Sequence, residues 1–586
     1  MLIRLLILLS AISASAQVTA TSSAVLSDSP SARKQSSVPA QQLSSTAQEP
    51  APTGERIPPA PLTPQFTPTR VSTGHLFSRP GAPMQVQGPS HVDEFIHEGK
   101  LRLSLEDAIL LTLLNNSDVN VNRAQFDLSQ FAVQRAHAAF DPLFVAGFQP
   151  TRSISPSTSS LNGASTLSTL SQTTSTGFSQ TFQSGTGVSV GLSTTRFTTN
   201  SSFATVNPSF SSGLTFGVSQ PLMRRFGMFA NRAPIIIAQR GVRQSRANFE
   251  AQLNDTVQRV INQYWDVVQS HKTLEVLRKS LELAEASYQR DKRALELGAL
   301  PPLDIYRSES QVAQRKVTVI QAEYALKQVE DTLRQTIGAD LDARAGALDL
   351  ELTDSAETNG KVEIVDLQEA LAAALKDRPE VESQNQQLAI DDANARLASN
   401  NMRPDLNLSA TYTSNGLGGI IFDNSGALIS TGGFGDSLSQ LGGFNFPTYG
   451  INLQLRFPIH NSAAAADLGT ALVSKRRSLY QMRSIQQSIS TEVKNAVHDL
   501  EQAELVMTAA EASRELAQKN LAAEQRKYEL GAQTIFFVLD AQNQLSQAEQ
   551  SVVAAQIFYQ KALAEVDHAT GSLLAKHKVI PAAATP

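Results

Sequence analysis

Two hydrophobic periods take turns along this chain, and their order divides it. From Leu103 to about Phe140 apolar residues recur at helical spacing until Asp141-Pro142 stops the run. The same frame returns at a constant offset of 262, where Leu105, Ala108, Val119 and Pro142 fall on Leu367, Ala370, Val381 and Pro404. After each proline the period drops to two. Leu406, Leu408, Ala410 and Tyr412 alternate with Asn407, Ser409 and Thr411; Ile451, Leu453, Leu455 and Phe457 alternate with Asn452, Gln454 and Arg456. Leu214, Phe216 and Val218 likewise alternate with Thr215, Gly217 and Ser219. These segments predict strands with one apolar face and one small or polar face. A barrel with lipid outside and water inside gives that pattern, and so does a soluble sheet with one wet face.

Between Phe144 and Leu222 lies more Ser-, Thr- and Gly-rich chain than one hairpin needs. Within it, Thr176–Phe182 and Val188–Phe197 flank Ser184-Gly185-Thr186-Gly187, a tight-turn sequence. An extra hairpin over residues 174–197 fits this stretch, either widening a barrel or forming an outer loop, and periodicity does not separate the two.

The helical period then resumes for the longest runs in the chain, from about Pro234 to Leu297 and from Ala463 to Leu530. At 1.5 Å per residue each run extends roughly 100 Å, more than a single globular core can bury. Heptads supply the burial instead: Leu274, Leu277, Leu281, Ala284 and Tyr288 step by three and four, as do Leu545, Ala548, Val552, Ala555, Tyr559 and Ala562. Small residues alternating in that seam predict close lateral packing of many helices.

Each long run ends in a Gly-centred turn, Leu297–Ser308 (LGALPPLDIYRS) and Tyr528–Ala541 (YELGAQTIFFVLDA), with Gly298 on Gly531 at an offset of 233. Shorter helices follow, Leu303–Ile337 and Thr534–Leu574. Stacked on Leu105–Phe140 and Leu367–Met402, these match one long helix, so each half predicts one continuous and one composite rod. The organisation is therefore two structural repeats, 100–338 and 367–574, joined by a mixed linker at 339–366 that lies where the short rods meet, with a tail at 575–586 that reads as unstructured from Pro581 to Pro586.

Composition narrows the setting. Residues 1–16 carry one Arg, a short apolar run and Ala14-Ser15-Ala16, the pattern of a cleaved secretory signal peptide. Residues 17–99 are rich in Ser, Pro, Ala, Thr and Gln and predict a disordered extension. The chain has no Cys, hence no disulfide and no thiolate metal site, which suits an exported protein. A net charge of −5 is small for this length and argues against a nucleic-acid partner. Beyond the signal peptide no run approaches the roughly 20 apolar residues of a membrane helix, so membrane residence requires a closed β-barrel.

The tip Gly531–Ala541 (GAQTIFFVLDA) resembles the signature of the TolC-like outer-membrane channel-tunnels: a Gly, then Thr-Ile, then Val-Leu-Asp-Ala. The internal repeat, the Pro-terminated first helices and the helix–strand–strand–helix order extend that resemblance from about Leu101 to Leu574. It implies an α+β membrane protein: a homotrimer in which each chain gives two hairpins to a transmembrane antiparallel β-barrel and its helices to a long coiled-coil α-helical barrel in the periplasm. It implies an outer-membrane channel of a tripartite efflux pump, docked on a periplasmic adaptor (membrane fusion) protein and an inner-membrane transporter. Protein secretion by the same kind of conduit is the nearest alternative, and a non-porous periplasmic coiled-coil scaffold the alternative from another class.

Site residues follow from the resemblance position by position. Tyr528 and Asp304 match the two halves of a latch between the hairpins, while Gln533 stands where that latch carries an Arg, which implies a weaker closed state. Asp540 matches an acidic ring at the periplasmic entrance, and Phe537 replaces a second acid three residues earlier. An ordinary solvated Asp and a seam Phe are the plain reading of the same two positions. Gly298, Ala299, Leu300, Gly531 and Ala532 form the implied adaptor-facing tips. Trp265, the sole Trp, falls beside the Tyr264 seam position and reads as a packing residue.

Nothing in the sequence carries catalysis. The nine His are scattered, with neither HExxH spacing nor a Gly-rich phosphate loop or GxSxG. Glu106-Asp107 and Asp391-Asp392 are adjacent on helices, where neighbours do not face each other. No cofactor is implied, and the energy for transport has to come from a partner.

Overall fold

The computed structural model describes residues 89–297, 302–341, 348–356, 365–423 and 426–579, together with 344 and 346. The signal-peptide reading lies outside these residues, as do 17–88 of the extension and 580–586 of the tail; the start of the tail is ordered, with a short helix over Leu573–Lys576 and Val579 packed against the core. The folded chain starts earlier than the composition indicated. Val92–Phe95 makes a 3-10 turn with Val92 buried, and β1 (Ile96–His97) pairs with β2 (Lys100–Leu103).

Helix α1 (Leu105–Asn115) begins in a capping box, Ser104 accepting from the Asp107 amide while Asp107 accepts from the Ser104 amide. The single helix expected here is two. Asn116 leaves helical geometry (φ −61, ψ 126) and its Oδ1 caps α2 (Ser117–His137) by accepting from the Asp118 and Val119 amides. The second repeat breaks at the matching place, Arg378, between α5 (Leu367–Asp377) and α6 (Pro379–Asn401). There the cause differs: Pro379 pushes the preceding residue out of the α region and sits at the first helical position itself.

Helix α3 (Met228–Glu296) and helix α8 (Ser462–Glu529) are the two long rods, 69 and 68 residues. Pro234 lies inside α3 rather than at its start, in the second turn. The helices after the tips, α4 (Pro302–Ile337) and α9 (Ile535–Thr570), have 36 residues each. At the tip offset of 233 their ends coincide, and so do the glycines that stop them, Gly338 (φ 72) and Gly571 (φ 79). Helix α3 packs on α2 and α4 along one side and on α6 and α9 along another, and α8 covers α6 and α9. The composite rod of the second repeat therefore lies between the two long helices. Where α1 meets α4, Asn116 Nδ2 donates to the Thr336 carbonyl at 2.9 Å.

The linker adds a strand, β7 (Asp349–Leu352), parallel to β2. This small sheet covers the main core, in which Tyr264 is fully buried and donates to Asp354 at 2.9 Å. Trp265 packs edge-on against Tyr264, 5.7 Å between ring centroids, which is the packing role expected of it.

At the far side of α2 and α6 the chain forms an antiparallel sheet in the order β10-β8-β6-β5-β4-β3, with β9 also on β8. Its strands are β3 (Leu143–Pro156), β4 (Thr166–Thr181), β5 (Gly187–Thr199), β6 (Val206–Pro221), β8 (Asp405–Phe422), β9 (Leu428–Thr431) and β10 (Phe446–Arg456). Cross-strand rows carry the alternation across the whole sheet. One row reads Phe144, Phe178, Val190, Phe216, Tyr412 and Tyr449; the next, on the other face, Val145, Gly177, Gly191, Thr215, Thr413 and Thr448. A short helix, α7 (Phe434–Gly442), lies on the apolar-row face farther from the rods, where Ser212 and Ser437 hydroxyls meet at 2.9 Å. Gly416 is required beneath it, because a Cβ there would stand 1.9 Å from the Ser437 carbonyl oxygen. In a single chain the sheet is open, with β3 and β10 as its edges. No described helix is long and apolar enough to cross a membrane.

Candidate functional site

The second tip is built by its glycine. Helix α8 ends at Leu530, Gly531 takes φ +70, and the amides of Gly531 and Ala532 donate to the carbonyls of Tyr528 and Lys527. That pair of bonds is a Schellman closure, and it projects Ala532 into solvent. At the first tip, Gly298, Ala299 and Leu300 lie outside the described residues. Asp304 stands in the first turn of α4, and its side chain lies outside them as well.

Tyr528 does reach the first hairpin, through residues the tip motif does not contain. Its hydroxyl donates to Asp291 Oδ1 at 3.4 Å, and Ser308 Oγ donates to Asp291 Oδ2 at 2.5 Å. Asp291 is buried, so both bonds are shielded from water. The Arg290 guanidinium lies 5.0 Å from the centre of the Tyr528 ring, with Nε 3.7 Å from Asp291. Gln533 left the expected latch without a cation; within one chain Arg290 supplies one from α3. Gln533 itself is half-buried, and its Oε1 accepts no hydrogen bond. Further along, Gln311 and Arg315 of α4 both donate to Asn543 Oδ1 at 2.8 Å, and Gln542 donates to Ser287 at 3.2 Å. Burial lowers the pKa of Arg315. These contacts tie the hairpins side by side just behind the tips.

Phe537 and Asp540 share an exposed face of α9, opposite a small core of Leu521, Ile535, Val538, Leu539 and Ala541. Phe537 meets Phe536 edge-on at 5.5 Å, and Asp540 accepts from Gln544 at 2.8 Å. Within one chain Phe537 is thus a surface residue rather than a seam residue.

A second polar centre, with no signal in the sequence, sits level with the helix breaks. Arg378 is buried and bonds Glu380 and Glu492, each at 2.7 Å. His568 of α9 places Nε2 3.0 Å from Asp255 of α3 and Nδ1 3.4 Å from Glu492 of α8. Glu565 accepts from Gln258 beside them. Burial disfavours the charged imidazole, yet hydrogen bonds to Asp255 and Glu492 outweigh it and raise the pKa to about 9. Burial likewise opposes ionisation of Glu492, and bonds to His568 and Arg378 override it to lower that pKa. Burial alone dominates at Glu565 and raises its pKa. Donor atoms of Glu492, Glu565 and His568 all lie within 4.8 Å of one another, close enough for a metal ion. Arg378 already balances Glu492, however, and a protonated His568 offers no lone pair at either nitrogen, so the cluster works as an ion network across three helices. The acids singled out as adjacent pairs have structural roles: Asp107 caps α1, Asp391 accepts from Ser478 at 2.6 Å, and Asp392 pairs with Lys475 at 2.8 Å.

Twin helical repeats with paired tips at one end and an alternating antiparallel sheet at the other define a class, the outer-membrane channel. The chain belongs to the outer membrane efflux protein family, which it matches over residues 108–339 and 358–572; members of this family are channels, not enzymes. Among solved structures it is similar to the outer-membrane channel OprN, at 14% identity and a TM-score of 0.58 over 80% of this chain and 90% of that one. The Campylobacter jejuni CmeC channel gives 14% and 0.57 over 80% and 86%. The open state of Neisseria gonorrhoeae MtrE gives 18% and 0.56 over 80% and 89%. At such identities the likeness is one of fold. No curated protein is matched in sequence.

Proposed function

We propose that three copies of this chain form an outer-membrane conduit of a tripartite efflux pump. The sheets close into a transmembrane barrel, the helices form a barrel in the periplasm, and the tips meet an adaptor served by an inner-membrane transporter. The observation that carries this reading is the placement of the sheet, apolar on one face and mainly Gly, Ser and Thr on the other, at the opposite end of the rods from Leu297 and the Gly531 turn. Passage is passive, since no nucleotide site is present in the sequence. Threefold symmetry turns the exposed face of α9 into a ring of three Phe537 beside a ring of three Asp540. Carboxylates gathered at a narrow opening favour cations. Tyr528, with Asp304 and the Arg290–Asp291 pair, holds the second hairpin to the first in the closed state.

Single-channel current from the detergent-purified protein in a planar bilayer tests the reading. Discrete steps with cation preference that falls in Asp540→Asn support both the pore and the ring. Steps indifferent to the substitution keep the pore and discard Asp540 as its constriction. A folded protein released from cell envelopes without detergent is a scaffold, and the proposal fails.

A further inference from the structure

The two repeats match rod for rod but not strand for strand. Strands β3 and β8 follow matching prolines, and β6 and β10 both lead into long helices, which leaves β4 and β5 without counterparts in the second repeat. Four strands per chain was the expectation from resemblance. The inserted hairpin is part of the wall: β4 pairs with β3 from Leu143–Ser179 through Pro156–Thr166, and β5 pairs with β6 from Gly187–Ser219 through Phe197–Ser209. Neither ladder carries a bulge. The insertion also keeps the faces in phase. Phe178, Val188, Val190 and Leu192 extend the apolar rows, with Thr176 and Gln180 opposite Leu192 and Val188 and the Gln172–Arg196 pair toward the far loops, while Thr173, Ser175, Gly177, Ser189, Gly191, Ser193 and Thr195 extend the polar ones. Thr173 and Thr195 hydroxyls meet at 3.0 Å on that face, as do Thr215 and Thr413. Helix α7 covers the opposite face and leaves this one clear.

The edges complete the picture. Every residue of β3 and of β10 is exposed, and neither strand holds a charged residue before Arg152 or Arg456. Edge strands in water are normally guarded by charges or covered; long apolar edges without guards call for a partner strand. Strand β3 runs away from the rods and β10 runs back toward them, so β10 of one copy and β3 of the next are antiparallel complements.

We infer that the β4–β5 hairpin is a wall insertion and that three copies, joined β10 to β3, close an eighteen-stranded barrel rather than one of twelve. The inference rests on the conduit reading above. At a strand spacing of about 4.8 Å and a tilt of about 40°, eighteen strands give a backbone diameter of about 36 Å, against about 24 Å for twelve. The bore is lined mainly by hydroxyls, glycines and amides, with apolar Leu143, Val145, Phe197 and Phe446 among them and no charged side chain between the Asp405–Arg456 pair at the rod end and the far loops. A wall this wide and neutral sets no limit of size or charge on cargo, and selection falls to the tips.

Two measurements test it. Cryo-electron microscopy of the full chain in lipid nanodiscs is expected to show six wall strands per protomer. A trimer with four, and residues 166–199 lying outside the wall, overturns the inference while leaving the conduit intact. Separately, Leu192→Cys and Ser193→Cys each introduce a single thiol into a Cys-free chain. In outer-membrane preparations a charged, membrane-impermeant maleimide is expected to label Ser193→Cys at least tenfold faster than Leu192→Cys, which faces lipid. Equal rates place the hairpin in solvent and overturn the inference. Recovery of the parent outside the outer-membrane fraction removes the conduit reading, and this inference with it.

Discussion

Replacing His568 with Gln removes the positive charge that α9 brings to the network at the helix breaks. The side chain is 8% exposed, so solvent screens its interactions little. Its pKa rises from 6.5 to about 9 on folding. At about 1.4 kcal/mol per pH unit, the shift corresponds to roughly 3 kcal/mol of stability. Because the folded pKa is the higher one, that stability is fully present below about pH 6.5 and is lost as the pH climbs through about 9. Denaturant unfolding of the detergent-purified full chain, followed by circular dichroism for parent and His568→Gln at about pH 6, 8 and 10, reads the effect as a difference, so that titrations common to both cancel. The parent is expected to be the more stable by roughly 3 kcal/mol at the low end, with the gap closing by about pH 10. A gap that stays constant with pH refutes the reasoning, since the imidazole would then contribute packing and no charge.

At the tips, Tyr528→Phe combined with Asp304→Asn is expected to raise the resting conductance of single channels; unchanged conductance removes Tyr528 from the latch. Gly531→Ala has open space for its methyl group but must hold φ +70. It is expected to cost about 1 kcal/mol locally, read as roughly fivefold faster amide exchange at Gly531 and Ala532, and unaltered exchange would show that the turn tolerates a side chain. Gly416→Ala puts a methyl group into the Ser437 carbonyl. It is expected to release α7 from the sheet, seen as rapid proteolysis between residues 423 and 445, whereas protection equal to the parent would mean that the strand shifts to make room.

How much of this was legible depended on whether a feature is periodic. The rods, their offsets and the alternating strands are written as repeating apolar positions, and they stand close to where the sequence put them. The break at Asn116 was hidden because one capping residue interrupts neither the apolar frame nor the residue count. At Arg378 the sign was present in Pro379 and is clear only beside its partner. The three-stranded sheet of β1, β2 and β7 escaped because its strands have at most four residues, too short for a period. The Arg290–Asp291 pair and the His568 network were not legible for a different reason: they join residues 237 and 313 positions apart, and each member alone is an ordinary polar residue on a helix. Only packing makes such a site.

The unequal halves say something about how this architecture can change. Helices α4 and α9 keep the same length and the same terminal glycine because each must span from a tip to the belt beside a long neighbour, and a residue gained would put every seam position out of phase. A hairpin added to an antiparallel sheet meets no such condition. It enters and leaves at one end, pairs with strands already present and, being even in number, restores the direction of the chain. The wall can therefore widen two strands at a time while the rods stay fixed in number. It follows that bore and gate are set by different parts of the sequence. Excising residues 166–199 with a short Gly-containing turn in their place is expected to narrow the barrel by a third in strand count, yet leave the Asp540-dependent cation preference as it was; a change in that preference would mean that the wall, not the tip, selects.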